Sequence, residues 1–173
     1  MSSTAEAELE AAPVLRSTAE MRAETRRLAE REGPTFVRAR AQLPKEGRTN
    51  QMLAATPNMS LMLKTYASGG ENELHGHANE DHVFIILQGE AVFFGPNNEQ
   101  KRVGKNDCVM LPRMVQYRFH AVEEAGPLVF LRVGALLDPS RPSERVDHTG
   151  KLLDGYSASN HEGPIVFSQQ WFG

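Results

Sequence analysis

From Thr35 onward the chain alternates short runs of β-branched, aromatic and aliphatic residues with clusters of glycine, proline and asparagine, and this rhythm leaves few folds open. The runs TFVRAR (35–40), MSLMLKTYA (59–67), HVFIILQ (82–88), EAVFF (90–94), DCVMLP (107–112), VQYRFHAV (115–122) and LVFLRVGALL (128–137) read as strands. Between them stand the turn signals Ser68-Gly69-Gly70, Gly89, Gly95-Pro96-Asn97-Asn98, Gly104-Lys105-Asn106 and Gly126-Pro127. Many short strands without intervening helices predict an all-β sandwich or barrel. Several runs are apolar on both faces, so they belong between layers or under an interface.

The barrel is expected over residues 35–137, with one segment on either side. In residues 1–34, Ser17 and Glu20 have capping-box spacing and the good helix formers that follow predict a helix over about 18–32, stopped by Gly33-Pro34. Its narrow apolar stripe (Met21, Thr25, Leu28) suits a surface helix. After Asp138 the chain turns polar and irregular and closes on IVFSQQWFG, an apolar end expected to dock on the barrel or on a partner chain.

Composition removes several function classes. A net charge of -3 gives no basic footprint for nucleic acid or acidic membrane, and no apolar run approaches the roughly 20 residues that span a bilayer. The N-terminus lacks the basic and apolar regions of a secretion signal. A single cysteine, Cys108, suits a reducing cytoplasm; within DCVML it reads as a buried small hydrophobe.

Chemistry concentrates in HGHANEDHVFIILQG (75–89), which holds three of the six histidines. In a strand His75 and His77 share a face about 7 Å apart. A turn through residues 78–81 would bring His82 back on an antiparallel neighbour, giving three imidazoles around one point. A solvated histidine-rich hairpin has the same local pattern, and the HxH pair alone does not decide between them.

The flanking glycines do more. The segment resembles the first motif of the cupin superfamily, Gly-x5-His-x-His followed after a few residues by Glu and, six residues on, by Gly. Gly69, His75, His77 and Gly89 match, and counting back from Gly89 puts His82 where cupins carry the metal-binding Glu. Glu80 and Asp81 fall in the expected turn and do not match the spacing. The second motif, Gly-Asp, a short strand and Pro-x-Gly-x-x-His, is matched by Asn106-Asp107, CVML and Pro112, with Met114 in place of Gly and Tyr117 in place of His.

The resemblance spans residues 50 to about 136 and implies a jelly-roll β-barrel holding a metal on His75, His77 and His82. Tyr117 is then a fourth ligand, a proton-transfer group or a wall of the pocket. His120 reaches the metal only if a bulge turns it inward. Strand parity puts Phe84 and Ile86 inward after His82, and Phe119 inward after Tyr117. Lys64 and Tyr66 share a face; if it is inward, Lys64 can pair with a substrate carboxylate. Arg113 and Arg118 carry the same ambiguity, with Arg118 alternating outward from Tyr117.

Three neutral imidazoles favour a divalent transition metal, Fe(II) first, with Ni, Zn, Cu or Mn as alternatives. The implied function is a metal-dependent oxidoreductase of the dioxygenase type acting on a small chelating or carboxylated molecule. A non-redox lyase or isomerase, and a non-catalytic small-molecule-binding cupin, are the alternatives. Cupins commonly pair, so a homodimer is expected, with neither nucleic acid nor membrane as partner.

Overall fold

The computed structural model describes residues 11–68, 72–156 and 163–173. Gly69 and Gly70 of the expected turn and motif lie outside the described residues. The elements are helix α1 (Thr18–Ala29) and strands β1 (Ala41–Glu46), β2 (Arg48–Ala55), β3 (Met59–Tyr66), β4 (Gly76–His77), β5 (Glu80–Gln88), β6 (Glu90–Phe94), β7 (Gln100–Gly104), β8 (Cys108–Leu111), β9 (Arg118–Ala121), β10 (Leu128–Leu136), β11 (Arg145–Val146) and β12 (Val166–Phe172).

A five-stranded sheet, ordered β2-β3-β10-β5-β8, faces a three-stranded sheet, β7-β6-β9. Tyr66, Phe84, Ile86, Leu128 and Phe130 from the first pack against Ala91, Phe93 and Phe119 from the second, with Tyr117 completing the layer. This is the expected jelly-roll β fold. A side chain such as Phe84, 2% exposed, contributes about 1.5–3 kcal/mol by its burial. Gly89 makes the tight β5–β6 turn at φ 69°, where a Cβ would stand 2.7 Å from the Pro127 carbonyl oxygen.

The five-stranded sheet is also apolar on its outer face, as the two-sided runs predict. Leu53, Leu63, Leu131 and Val129 pack there under Val37, Ala39, Ala41, Leu43 and Phe172. The C-terminal IVFSQQWFG supplies β12, which pairs antiparallel with β1. TFVRAR is not a strand: residues 35–40 run as irregular cover, with Phe36 77% exposed, and pairing begins at Ala41.

Helix α1 begins as its capping residues require, with the Glu20 backbone N–H donating to Ser17 Oγ at 3.1 Å. It ends at Ala29, three residues short of the expected boundary. Leu28 and Leu15 pack on Met52 and Met62, so the helix lies over one end of β2 and β3. Among the described residues no helix is long and apolar enough to cross a membrane.

Two further expectations are corrected. Cys108 is exposed, because β8 is an edge strand whose inward positions are Val109 and Leu111, paired with Phe84 and His82. The histidine stretch is not a hairpin: β4 pairs with β11 from the C-terminal segment, while the neighbours of β5 are β10 and β8.

Candidate metal centre

The inward positions of β5 are Glu80, His82, Phe84 and Ile86, all buried. Glu80 is therefore not a turn residue. It opens the strand two positions before His82, shares its face, and is 3% exposed. Gly134 on β10 stands opposite His82 and makes the room, since a Cβ there would overlap the Glu80 carboxylate.

His77, Glu80 and His82 each offer one ligand atom, and these atoms lie within 4.8 Å of one another. The His77 and His82 rings are 4.1 Å apart between centroids. His75, bridged to Tyr117 through the backbone, places its ring 5.3 Å from that of His77 and 4.5 Å from that of Tyr117. The fold thus brings the three sequence-predicted histidines and Tyr117 together, and adds a carboxylate that counting from Gly89 had set aside.

Tautomers follow from the partners. His75 Nδ1 lies 2.7 Å from the Glu73 carbonyl and 3.1 Å from the Arg145 guanidinium; the shorter contact makes it a donor to the carbonyl, which leaves Nε2 with its lone pair. At His82 the Arg132 guanidinium, which can only donate, lies 2.5 Å from Nε2. The same Nε2 lies 3.0 Å from Glu80 Oε2, so it faces a donor and an acceptor together, while Nδ1 faces the Tyr117 hydroxyl at 3.5 Å. Arg132 also donates to Glu80 Oε2 at 2.8 Å, and Ser143 Oγ donates to the same oxygen.

These neighbours set the charges. Burial alone would raise the Glu80 carboxyl, but Arg132, His82 and Ser143 more than offset it and hold the group well below the usual carboxylate range. Burial, reinforced by Arg132 and opposed by Glu80, lowers His82 to about 4. His75 and His77 are also pushed well down, by burial first and then by Arg145 and His82 respectively. Burial drives the Tyr117 phenol up, against Arg132 and Arg145. At neutral pH the cluster holds neutral imidazoles, one carboxylate and a protonated phenol.

This donor set fits a divalent transition metal: two imidazoles and one ionised carboxylate, with Glu80 and His82 buried, His77 half-buried and His75 beside them. Arg132 uses the same two atoms, Glu80 Oε2 and His82 Nε2, so guanidinium and metal compete for them.

The remaining sequence-predicted residues divide by position. Lys64 and Tyr66 face inward on β3, Lys64 half-buried and Tyr66 fully so. Phe84, Ile86 and Phe119 are packed in the aromatic core beside the cluster. His120 faces away, its ring 5.0 Å from that of Phe94, because β9 continues unbroken from Phe119. Arg118 also faces out, over Phe94. Arg113 is exposed, its backbone N–H donating to Asp81 Oδ1.

Sequence reasoning missed Arg132, Ser143 and Arg145. Arg132 had a signal: a lone cation in the apolar run LVFLRVGALL, at the parity of Phe130. Ser143 lies 3.2 Å from His77 Nδ1, and Arg145 sits beside His75; both come from the segment read as irregular.

Residues 62–134 match the cupin domain family, and the jelly-roll architecture fits a cupin domain over that span. Among solved structures it is similar to a conserved protein of unknown function from Streptococcus pyogenes, with 16% identity, coverage of 64% of this chain and 95% of that one, and a TM-score of 0.50. A cupin-like protein from Thermotoga maritima gives 15% identity, 66% and 81% coverage, and 0.50. The Cnp3 cupin domain of Schizosaccharomyces pombe gives 18% identity over 51% of this chain and 64% of its own, with 0.47. At these identities the likeness to the first two shows the fold alone. No curated protein sequence matched the chain.

Proposed function

We propose that the chain is a metal-dependent cupin enzyme acting on a small chelating or carboxylated molecule. The observation that carries this reading is the convergence of His77, Glu80 and His82 inside the barrel, the last two buried and His77 half-buried, with His75 alongside. Two imidazoles and a carboxylate are the donor set of the non-haem Fe(II) oxygenases, so Fe(II) and a dioxygenase-type oxidation rank first, ahead of Ni, Zn, Cu or Mn. When bound, the ion supplies Lewis acidity and, as iron, redox chemistry with O2.

The chain's own residues do the rest. Glu80 supplies the one negative charge of the donor set, and Arg132 and Ser143 fix its orientation. Phe84, Phe93 and Phe119 wall the cluster and exclude water from one side. Tyr117, buried and protonated, sits within reach of a bound substrate as a hydrogen-bond or proton donor. That phenol favours a second reading, a non-redox lyase or isomerase in which Tyr117 is the general acid. We assign the activity to a homodimer in the cytoplasm, in keeping with the single cysteine.

Purified protein reconstituted separately with Fe(II), Zn and Ni, and offered small carboxylic acids under air, tests the reading. Oxygen uptake with Fe(II) alone, lost in Glu80→Gln, is expected. Turnover with Zn or Ni and no oxygen uptake would replace the oxygenase with the lyase or isomerase. Ligand binding without turnover at any metal loading would make the protein a non-catalytic cupin.

A further inference from the structure

Lys64 brings a positive charge into the barrel with no carboxylate paired to it among the described residues. On β3 it pairs through the backbone with Asn50 of β2 and Phe130 of β10, on the inner face between Met62 and Tyr66. Among the described residues it makes no ion pair, and Glu80, the buried carboxylate of the site, is taken by Arg132. Its ammonium lies 5.6 Å from the centre of the Tyr66 ring. Tyr66 is 1% exposed, stacked on Phe130 and edge-on to Phe119; against burial, Lys64 and Arg48 lower its phenol, and among the described residues the hydroxyl proton meets no acceptor.

Both features cost folding free energy. A buried hydroxyl proton without an acceptor and an ammonium drawn from water without a carboxylate partner both forfeit hydration that the fold does not replace. Burial first, then the charges of Arg48 and Arg132 against the opposing Tyr66, lower Lys64 to about 8. At pH 7 that leaves it protonated by roughly ten to one, so it acts as an ion-pairing donor rather than a neutral amine. The charged and titratable groups facing it are Arg48, Tyr66, Arg132, His75 and His82.

The ammonium and the phenol, on alternate inward positions of one strand, place N–H and O–H groups side by side with no anionic acceptor among the described residues. We infer that Lys64 and the Tyr66 hydroxyl form an oxyanion subsite. It holds a carboxylate or phosphate at one end of a substrate whose other end lies at the His77–Glu80–His82 cluster. The second half of that statement rests on the metal-dependent reading; the subsite itself does not. The substrate class is thereby narrowed to small molecules with an anionic group remote from the reacting end.

Calorimetric titration of metal-free and Zn-loaded protein with malonate, inorganic phosphate and the neutral malonamide tests this. Malonate or phosphate should bind and malonamide should not, with preference between the two anions telling carboxylate from phosphate. Lys64→Met should weaken anion binding by about tenfold or more and Tyr66→Phe by a few fold, while Zn affinity is not reduced in either. Because Lys64→Met removes an unpaired charge, its anion-free melting temperature should lie above that of the wild type, which also reports that it folds. Equal anion binding by Lys64→Met, malonamide binding as tightly as malonate, or a lower melting temperature would overturn the subsite. Zn binding without anion binding would sink this inference alone, and Lys64-dependent anion binding without Zn binding would sink only the metal centre.

Discussion

The interior of this barrel has two ends made by the same strands on opposite rules. On β5 and β10, Phe84, Ile86, Leu128 and Phe130 face an aromatic layer that asks for no polar partner. At the next inward position of each strand, two residues before Phe84 and two after Phe130, His82 and Arg132 face Glu80, and nearly every polar atom is answered by another. The apolar end fixes strand register and keeps water out. The polar end uses the low dielectric so created, which strengthens the Glu80–Arg132 pair and keeps the imidazoles neutral. Stability is invested at one end and chemistry at the other.

Truncation at either end separates these roles. Phe84→Ala and Glu80→Ala should each lose about 3–5 kcal/mol in urea unfolding, the first through a cavity and the second by stranding Arg132. Only Glu80→Ala should also abolish metal binding. Equal metal binding by the two variants would break the division.

Acid should attack the polar end first. The His82 imidazole titrates near 6.5 in the unfolded chain and at about 4 in the folded one, so between these values the unfolded chain binds more protons. Stability should therefore fall as pH drops from about 6.5 through 4, by on the order of 3 kcal/mol from this group. Below about 4.5 the Glu80 contribution, present above its unfolded pKa, is lost in turn as pH falls through its lower folded value. Urea midpoints measured from pH 8 to 4 check this; a flat profile, or one unchanged in His82→Gln, contradicts it.

Two smaller substitutions probe backbone positions. Gly134→Ala drives a Cβ into Glu80 and should cost about 1–3 kcal/mol, with weaker metal binding, whereas an apolar-end glycine effect would leave the metal untouched. Met114 holds φ 66° at an exposed position, where relief of left-handed strain slightly exceeds the entropy a glycine brings. Met114→Gly should gain about 0.5 kcal/mol, read from thermal unfolding, with metal binding unchanged.

Met114, with Asn106, also shows what the sequence disclosed. The second motif departs from the family pattern at Asn106 and Met114, and both residues keep the positive φ that glycine would supply, at 74° and 66°. The motif was legible because the turn geometry persists although the residues changed. Inward parity of His82, Phe84, Ile86, Tyr117 and Phe119 was legible for the same reason: period two survives substitution. Glu80 was misplaced because its strand starts two residues earlier than the apolar run suggests. β2 escaped notice because its polar RTNQ is buried, with Thr49 and Thr65 hydroxyls paired at 2.6 Å, a partnership no local pattern reveals. Ser143 and Arg145 reach the site only because β11 pairs with β4, a contact across nearly seventy residues.

The most direct test is the metal content of purified protein, compared between the wild type and the variants His77→Ala, Glu80→Gln and His82→Ala after incubation with Fe(II) or Zn. The expected result is about one divalent ion per chain in the wild type and loss of that ion in each variant, with folding confirmed by thermal unfolding. A wild type that holds no metal, or folded variants that hold as much as the wild type, would contradict a metal centre on His77, Glu80 and His82.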